Sequence, residues 1–216
     1  MTKVHRPSSA ATSAQTRAYA MRPDVLASQL RAEIATVPAT PHGRPALIVF
    51  MGLPGVGKSH CARLLCGRLG AAHVASDELR SRLFIAASYA EEENRAVFAA
   101  ATALIASLLD EGHRVVVDAT NLIARNRAGT IEAARRRGIS VTYVRITAPD
   151  DEARARLASR RAGRAPGDHS EADEPIYERM RAETFEPPAE GFIELVNGPR
   201  LAEELERIVA AVERTS

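Results

Sequence analysis

The sequence predicts an α/β fold in which a parallel sheet is covered by helices on both faces. Segments with apolar residues at helical spacing alternate along the 216 residues with short runs of apolar residues, many of them branched. Continuous apolar runs are typical of strands that are buried on both faces. Strands that alternate with helices form parallel sheets through right-handed crossovers. We therefore expect one parallel sheet of five strands.

Proline, glycine and capping residues set the limits of the predicted elements. The apolar spacing predicts a first helix over 24–37, with Asp24 as its N-cap and Pro38 as its stop. A helix over 58–69 is expected to end where Gly70 supplies a C-terminal cap. The predicted strands are 46–51, a short segment ending near residue 75, 114–118, 139–146 and 192–196, and the other predicted helices are 91–110, 125–137, 176–181 and 201–212.

Length and composition fit one sizeable core with an appendage. A chain of 216 residues, 45% of them hydrophobic, would be cramped as two full domains. We assign residues 1–44 to an N-terminal tail and helix, and residues 45–216 to the main domain. The first 23 residues are basic, lack Asp and Glu, and are rich in Ser, Thr and Ala. Such a composition is typical both of flexible tails and of organelle-targeting segments.

Charge, cysteines and apolar runs favour a cytoplasmic protein without membrane association. The formal net charge of +2 does not by itself require nucleic acid or anionic lipid as a partner. Cys61 and Cys66 have neither disulfide-framework nor metal-ligand spacing. No apolar run reaches the roughly 18 to 20 residues that cross a bilayer. The sequence leaves the oligomeric state open.

The segment Gly-Leu-Pro-Gly-Val-Gly-Lys-Ser at 52–59 fits the phosphate-binding pattern G-x-x-x-x-G-K-[ST] at every position. It follows a predicted buried strand and opens a predicted helix, so that backbone N–H groups and the helix N-terminus converge on an anion. We expect Lys58 to reach the β- and γ-phosphates and Ser59 to ligate Mg²⁺. The alternative is an ordinary glycine-rich turn. The predicted nucleotide-binding residues are Gly52, Leu53, Pro54, Gly55, Val56, Gly57, Lys58, Ser59 and His60.

Asp118 is the second predicted metal ligand. It follows three valines at the end of the third predicted strand. A magnesium nucleotide usually requires a carboxylate near the end of a strand next to the phosphate loop. An Asp that only ends a strand or caps a helix is the alternative. Together with the loop, Asp118 predicts ATP and Mg²⁺ as the bound groups.

Four segments give the chain a resemblance to a known family. Besides loop 52–59 they are Ser-Asp-Glu-Leu-Arg at 76–80, Asp-Ala-Thr-Asn at 118–121 and an arginine-rich segment after the fourth strand. Over about residues 46–196 the chain resembles the polynucleotide kinase-like group of P-loop kinases, ATP-binding proteins of the AAA_33 type with relatives among zeta-type toxins and small-molecule phosphotransferases. The resemblance implies a P-loop NTPase fold with the adenylate kinase-like strand order 2-3-1-4-5 and a short lid at about 152–172.

The resemblance also implies roles for residues outside the loop. In that family the Asp of a D-x-x-R motif is the general base for the attacking hydroxyl, and its Arg contacts the acceptor or the transferring phosphoryl group. Those positions are Asp77 and Arg80 here. Arg160 and Arg164 match the family's R-x-x-x-R lid pattern, in which arginines fold over the phosphates. The catalytic residues that the resemblance implies are therefore Asp77, Lys58, Arg80, Arg160 and Arg164.

Structural roles are the alternatives for these residues. Asp77 would also serve as the N-cap of the helix that it opens. The arginines after the fourth strand would also form a solvated helix face that pairs with acidic residues 150–152, and we favour that interpretation for Arg154 and Arg156. Phe84 and Tyr89 would line an acceptor pocket or belong to the core.

The predicted function is transfer of the γ-phosphate of ATP to a hydroxyl. A nucleic acid 5′-OH is one candidate acceptor, but proteins that grip single strands combine basic grooves with stacking aromatics. Aromatic residues make up only 4% of the chain and Trp is absent, so the sequence favours a small-molecule acceptor. The alternative function is a regulatory module that binds and hydrolyses ATP without an acceptor. Such a module has no need for Asp77 together with Arg80.

Overall fold

The architecture is a five-stranded parallel sheet between two layers of helices. The computed structural model describes residues 23–33, 37–84, 91–162, 174–182 and 185–215, with only the backbone of 160–162. The strands are β1 (Ala46–Met51), β2 (Ala72–Ala75), β3 (Val115–Asp118), β4 (Ser140–Thr147) and β5 (Ile193–Val196). The helices are α1 (Pro23–Glu33), α2 (Lys58–Leu69), α3 (Ser76–Leu83), α4 (Glu91–Asp110), α5 (Ala124–Arg135), α6 (Asp150–Ala162), α7 (Glu174–Ala182) and α8 (Leu201–Thr215).

The sheet has the strand order that the family resemblance implies. Its strands lie in the order β2-β3-β1-β4-β5, and every neighbouring pair is parallel. The central strand β1 is buried along its whole length, which accounts for its unbroken apolar sequence. Because all five strands run in the same direction, their carboxyl ends lie at one edge, where ligands bind in open α/β sheets. At that edge Ala75 of β2 pairs with Asp118 of β3.

Two apolar cores lie on opposite faces of the sheet. One core packs α1, α4 and α5 against the sheet, and the other packs α2, α6, α7 and α8. Successive side chains of a strand point to opposite faces, so β1 contributes to both cores. Leu47, Val49 and Met51 belong to the first core, and Ala46, Ile48 and Phe50 belong to the second.

The first helix differs from its prediction at both ends. It ends at Glu33, four residues before the predicted end. It begins at Pro23, so Asp24 lies within the first turn and is not the N-cap. Proline is favoured at a first helical position because its fixed φ suits the helix. Leu26 and Leu30 of this helix are buried in the core that α4 shares. The division of the chain at residue 44 stays a prediction.

The other elements occur where the sequence predicts them, with small differences at their ends, as is usual for helix and strand termini. The structure adds the bounds of α3 and α6, for which the sequence analysis gave none. Gly70 caps α2 in a left-handed conformation, as predicted. Among the helices that the structure describes, none is long and apolar enough to span a membrane.

A buried ion pair joins α3 to α4. The guanidinium of Arg80 donates hydrogen bonds to Glu93 and, at 2.7 Å, to Oδ1 of Asn94. The exposed fraction is 0% for Glu93 and 5% for Arg80. A glutamate in the first turn of a helix is usually exposed, so the sequence did not predict this pair. The pair fixes the start of α4 against α3.

Replacing Glu93 with Ala is expected to lower the free energy of unfolding by about 3 to 5 kcal/mol, because the Arg80 charge then stays buried without its carboxylate. Urea unfolding followed by circular dichroism measures the change. Glu92→Ala is the matched control, because Glu92 is exposed in the same turn. Its expected effect is within about 0.5 kcal/mol. Equal losses in the two variants would show that the buried pair contributes nothing specific.

Candidate functional site

Loop 52–59 joins the carboxyl end of β1 to the amino end of α2. Gly55 and Gly57 have φ angles of 79° and 90°, in the left-handed region that glycine adopts without steric cost. A Cβ added at Gly55 would lie 2.6 Å from the carbonyl oxygen of Ala153 in α6. A Cβ added at Gly57 would collide with the side chain of Asn197. The packing of the protein itself therefore requires these two glycines.

The segment after β3 fixes the start of the loop. The N–H of Gly52 donates to the carbonyl oxygen of Thr120 at 3.0 Å, and Nδ2 of Asn121 donates to the carbonyl oxygen of Phe50 at 2.9 Å. Asn121 is 2% exposed and has a φ of 47°, a left-handed conformation that Asn tolerates better than most residues. The Asp-Ala-Thr-Asn segment at 118–121 thus holds the loop from the neighbouring strand.

Asp118 is a buried carboxylate beside the loop. Nε2 of His73 lies 3.1 Å from its Oδ2, and the hydroxyl of Ser59 lies near enough to help lower the pKa of the carboxyl. Burial by itself would raise the pKa of Asp118, but the hydrogen bond from His73, the nearby charge of Lys58 and the hydroxyl of Ser59 hold this pKa below its ordinary value. Asp118 is therefore ionised at neutral pH.

Ser59 and Asp118 fit Mg²⁺ that is bound together with a phosphate. Mg²⁺ prefers oxygen ligands and is usually held by one or two protein oxygens, phosphate oxygens and waters. The hydroxyl lies close enough to the carboxyl to help lower the pKa of Asp118. Within the described residues, no group of three or more His, Cys, Asp or Glu side chains could hold a metal ion by itself. The site thus suits a magnesium nucleotide better than a metal centre independent of nucleotide.

Lys58 lies in the first turn of α2, at the end of the loop. Its Nζ donates to the carbonyl oxygen of Leu53 at 2.9 Å, so the ammonium group reaches back across the loop. This position places a positive charge among the backbone groups that are expected to bind phosphate. His60, which follows Ser59, is exposed on α2.

Asp77 lies at the same edge of the sheet, just beyond the end of β2. The helix α3 begins at Ser76 with Ala75 as its N-cap residue, so the alternative that Asp77 is the N-cap is wrong. Asp77 is half-buried in the first turn of α3. Ala75 at the end of β2 pairs with Asp118 at the end of β3, so Asp77 and Asp118 lie near the ends of adjacent strands. The role of Asp77 as general base stays a prediction.

Arg80 is buried on α3, and Phe84 directly follows this helix. The guanidinium of Arg80 is bound to Glu93 and Asn94, and its predicted contact with the acceptor stays a prediction. Phe84 is 4% exposed and packs in the core with α4, as the core alternative predicted. Tyr89 lies outside the described residues.

The helix α6 carries the arginine-rich segment across the loop. Ala153 and Leu157 are buried, and the backbone of Gly55 packs against Ala153. Nη1 of Arg156 donates to the carbonyl oxygen of Gly55 at 3.4 Å, and its Nη2 donates to Glu152 at 2.6 Å. The pairing of Arg156 with an acidic residue of 150–152 on a partly exposed helix face is confirmed, and the contact with Gly55 of the loop comes in addition to it.

Of the other arginines in this segment, one forms surface ion pairs, and both predicted lid arginines have side chains outside the described part of the chain. Arg154 binds Glu174 at 2.8 Å and also binds Glu178, both in α7, so it is a surface ion-pair residue. Arg160 belongs to α6 by its backbone, but its side chain lies outside the described part of the chain, as does all of Arg164. Their lid roles stay predictions.

Neither cysteine is a candidate nucleophile. Burial, assisted by the negative charge of Asp118, raises the pKa of Cys61 and of Cys66 to about 12. Both side chains are therefore thiols at neutral pH, whereas the thiolate is the reactive form. The chemistry of the site depends on its oxygen and nitrogen groups.

A family model decides the family of the chain. The AAA_33 model, described as an AAA domain, matches residues 47–188, which include the loop, the D-x-x-R segment and Asp118. The chain belongs to this family. The match confirms the predicted relationship to the P-loop kinase-like ATP-binding proteins. A search of curated proteins found no match to the chain.

Solved structures share the fold of this AAA domain. The APS kinase CysC of Mycobacterium tuberculosis, in complex with AMPPNP and APS, is 22% identical, with 79% of this chain and 98% of that chain covered and a TM-score of 0.58. A gluconokinase from Sinorhizobium meliloti 1021 is 20% identical, with 80% and 94% covered and a TM-score of 0.56. Kti12 of Chaetomium thermophilum, in complex with ADP-AlF3, is 19% identical, with 77% and 98% covered and a TM-score of 0.57. At these identities the likeness shows the fold alone.

Asn197 contacts loop 52–59, and the sequence did not predict this contact. It follows β5 directly, its N–H donates to the carbonyl oxygen of Thr147 at 2.8 Å, and its Nδ2 donates to the carbonyl oxygen of Val56 at 2.8 Å. A polar residue just beyond a strand, at the carboxyl edge of the sheet, is the signal that could have found it. Asn197 holds the loop from the side opposite to β3.

Replacing Asn197 with Ala is expected to weaken ADP binding by about 5- to 10-fold, because the loss of one buried hydrogen bond costs about 1 kcal/mol and loosens the loop. Isothermal titration calorimetry measures the affinity. Glu194→Ala is the control, because Glu194 is exposed on the same strand. An unchanged affinity for Asn197→Ala would mean that loop 52–59 does not depend on this contact.

Proposed function

We propose that the protein is an ATP-dependent phosphotransferase that moves the γ-phosphate of ATP to a hydroxyl group. The observation that carries the proposal is the phosphate loop beside the buried carboxylate of Asp118, with Asp77 at the same edge of the sheet. The loop and Asp118 alone would suffice for ATP hydrolysis. Asp77 adds the base that transfer to a hydroxyl requires. The kinases among the similar structures support this class of reaction.

Loop 52–59 is proposed to bind the phosphates of ATP. Its backbone N–H groups and the N-terminus of α2 attract the anion, and Lys58 neutralises charge on the β- and γ-phosphates. Ser59 and Asp118 are the residues that would hold Mg²⁺, which when bound neutralises further phosphate charge. The contacts of the loop with β3, β5 and α6 limit the rearrangement that binding requires.

Asp77 is proposed to accept the proton of the acceptor hydroxyl. The hydroxyl oxygen forms a bond to the γ-phosphorus while the bond from this phosphorus to the β,γ-bridging oxygen breaks, which leaves ADP and a phosphorylated acceptor. Asp77 is suited to this step because it is a half-buried carboxyl group in the first turn of α3, just beyond the end of β2.

Arginines are proposed to stabilise the charge that develops during transfer. Arg160 and Arg164 would close over the phosphates, exclude water and so limit hydrolysis of ATP. Arg80 would contact the acceptor while its guanidinium stays bound to Glu93 and Asn94, because a guanidinium has five N–H donors. Arg156 already contacts the loop through Gly55.

The acceptor is proposed to be a small molecule rather than a nucleic acid 5′-OH. The sequence has few aromatic residues for base stacking, and the described Phe84 belongs to the core. Incubation of the protein with γ-labelled ATP and separate pools of nucleosides, sugars, aminoglycosides and 5′-OH oligonucleotides tests the class. Label in a small-molecule pool is the expected result. Label only in oligonucleotides would reverse the preference, and free phosphate alone in every pool would favour the ATP-hydrolysing regulatory module.

Replacing Asp77 with Asn is expected to lower phosphoryl transfer by about 10²-fold or more while ATP affinity changes little, because Asn cannot accept the proton. Initial rates with the identified acceptor and nucleotide titrations measure the two quantities. Asp110→Asn is the control, because Asp110 is an exposed carboxylate at the end of α4, before β3 begins. An equal loss of ATP binding and of turnover in Asp77→Asn would exclude Asp77 as the base.

A further inference from the structure

His73 lies at the centre of a buried contact between two neighbouring strands. It belongs to β2, is 5% exposed, and places Nε2 at 3.1 Å from Oδ2 of Asp118 in β3. An ionised carboxylate only accepts hydrogen bonds, so the nitrogen that faces it carries the hydrogen. Asp118 thus receives a hydrogen bond from His73 in β2, while Ser59 at the start of α2 lies near it.

A directional hydrogen bond to Asp118 orients the imidazole of His73. A cavity of about 330 Å³ borders His73 and is also lined by Arg63 and Cys66 of α2. The carboxylate of Asp118 provides the directional contact of Nε2. Among the neighbours of His73 in β2, all of them apolar, no other side chain could donate to Asp118.

We propose that His73 is a positioning residue that holds the carboxylate of Asp118 in the orientation that magnesium binding requires. This proposal rests on the proposed function, in which Asp118 and Ser59 hold the metal of a magnesium nucleotide. Residues that hydrogen-bond to a metal-binding carboxylate limit its rotation, so the carboxylate does not have to be ordered at the moment of binding. His73 touches Asp118 and is not itself a ligand in this proposal.

His73 is expected to affect the binding of magnesium and to leave the binding of the phosphates themselves unchanged. Backbone groups of loop 52–59 and Lys58 bind the phosphates without help from His73. Removal of the imidazole should therefore reduce the magnesium dependence of nucleotide binding and spare binding without magnesium. A residue that only supported the fold would change both affinities together, and the melting temperature with them.

The test compares three variants by calorimetric titration with a non-hydrolysable ATP analogue at a series of magnesium concentrations. His73→Leu removes the donor at similar volume. His73→Gln is the conservative variant, because its side-chain amide donates from nearly the position of Nε2. His113→Leu is the matched control, because His113 is also buried, with 3% exposed, but lies before the amino end of β3.

For His73→Leu we expect the magnesium concentration at half-maximal analogue binding to rise by about 10- to 100-fold, with analogue affinity in the absence of magnesium within about 2-fold of the wild type. His73→Gln should recover most of the difference, and His113→Leu should match the wild type. Thermal melts of the magnesium-free proteins verify that the variants are folded.

Three outcomes would overturn the proposal. An unchanged magnesium requirement in a folded His73→Leu protein would show that Asp118 needs no positioning by His73 and would leave the proposed function intact. Equal losses of affinity with and without magnesium would assign His73 to the fold. Wild-type protein that binds the analogue with no magnesium dependence would overturn the metal site of the proposed function together with this proposal.

Discussion

A buried and charged carboxylate at the end of β3 is the feature on which the site depends. An ion that leaves water without partners costs several kcal/mol, so Asp118 can remain ionised only where donors and positive charge surround it. His73 comes from β2, and Ser59 and Lys58 come from the helix after β1. The strand order places β3 between those two strands. The topology of the sheet therefore determines the electrostatics of the site.

The phosphate loop is held from three sides before any ligand binds. Thr120 after β3 binds its first glycine, Asn197 after β5 binds Val56, and α6 packs on Gly55. A site whose donors are fixed in advance loses less free energy to reorganisation when charge develops. The same contacts explain why loop glycines serve two purposes: they admit phosphate oxygens, and they allow two other elements of the protein to approach the backbone.

The parts of the fold that were predictable are those that local sequence encodes. The apolar run of β1, the helical spacing in α4 and the motif at 52–59 each depend on neighbouring residues, and the alternation of strands and helices implied the parallel sheet. Asp118 could also be proposed, because its place after three valines is a local signal. The N-cap interpretation of Asp77 was wrong, since a helix start can shift by two residues without changing its sequence pattern.

The parts that were not predictable are pairings between distant segments. Glu93 with Arg80, His73 with Asp118 and Asn197 with Val56 each join residues on different elements, and a single sequence gives no register for such contacts. The contact of Arg156 with Gly55 depends on how α6 packs on the loop, so the sequence around Arg156 could not predict it.

The most direct test of the account is a crystal structure of the protein with Mg²⁺ and a non-hydrolysable ATP analogue. The account predicts β- and γ-phosphate oxygens that accept hydrogen bonds from the backbone of loop 52–59 and from Lys58. It also predicts Mg²⁺ at about 2.1 Å from Oγ of Ser59, with the carboxylate of Asp118 bound directly or through water. An analogue bound away from the loop, or a metal ion that contacts neither residue, would contradict it.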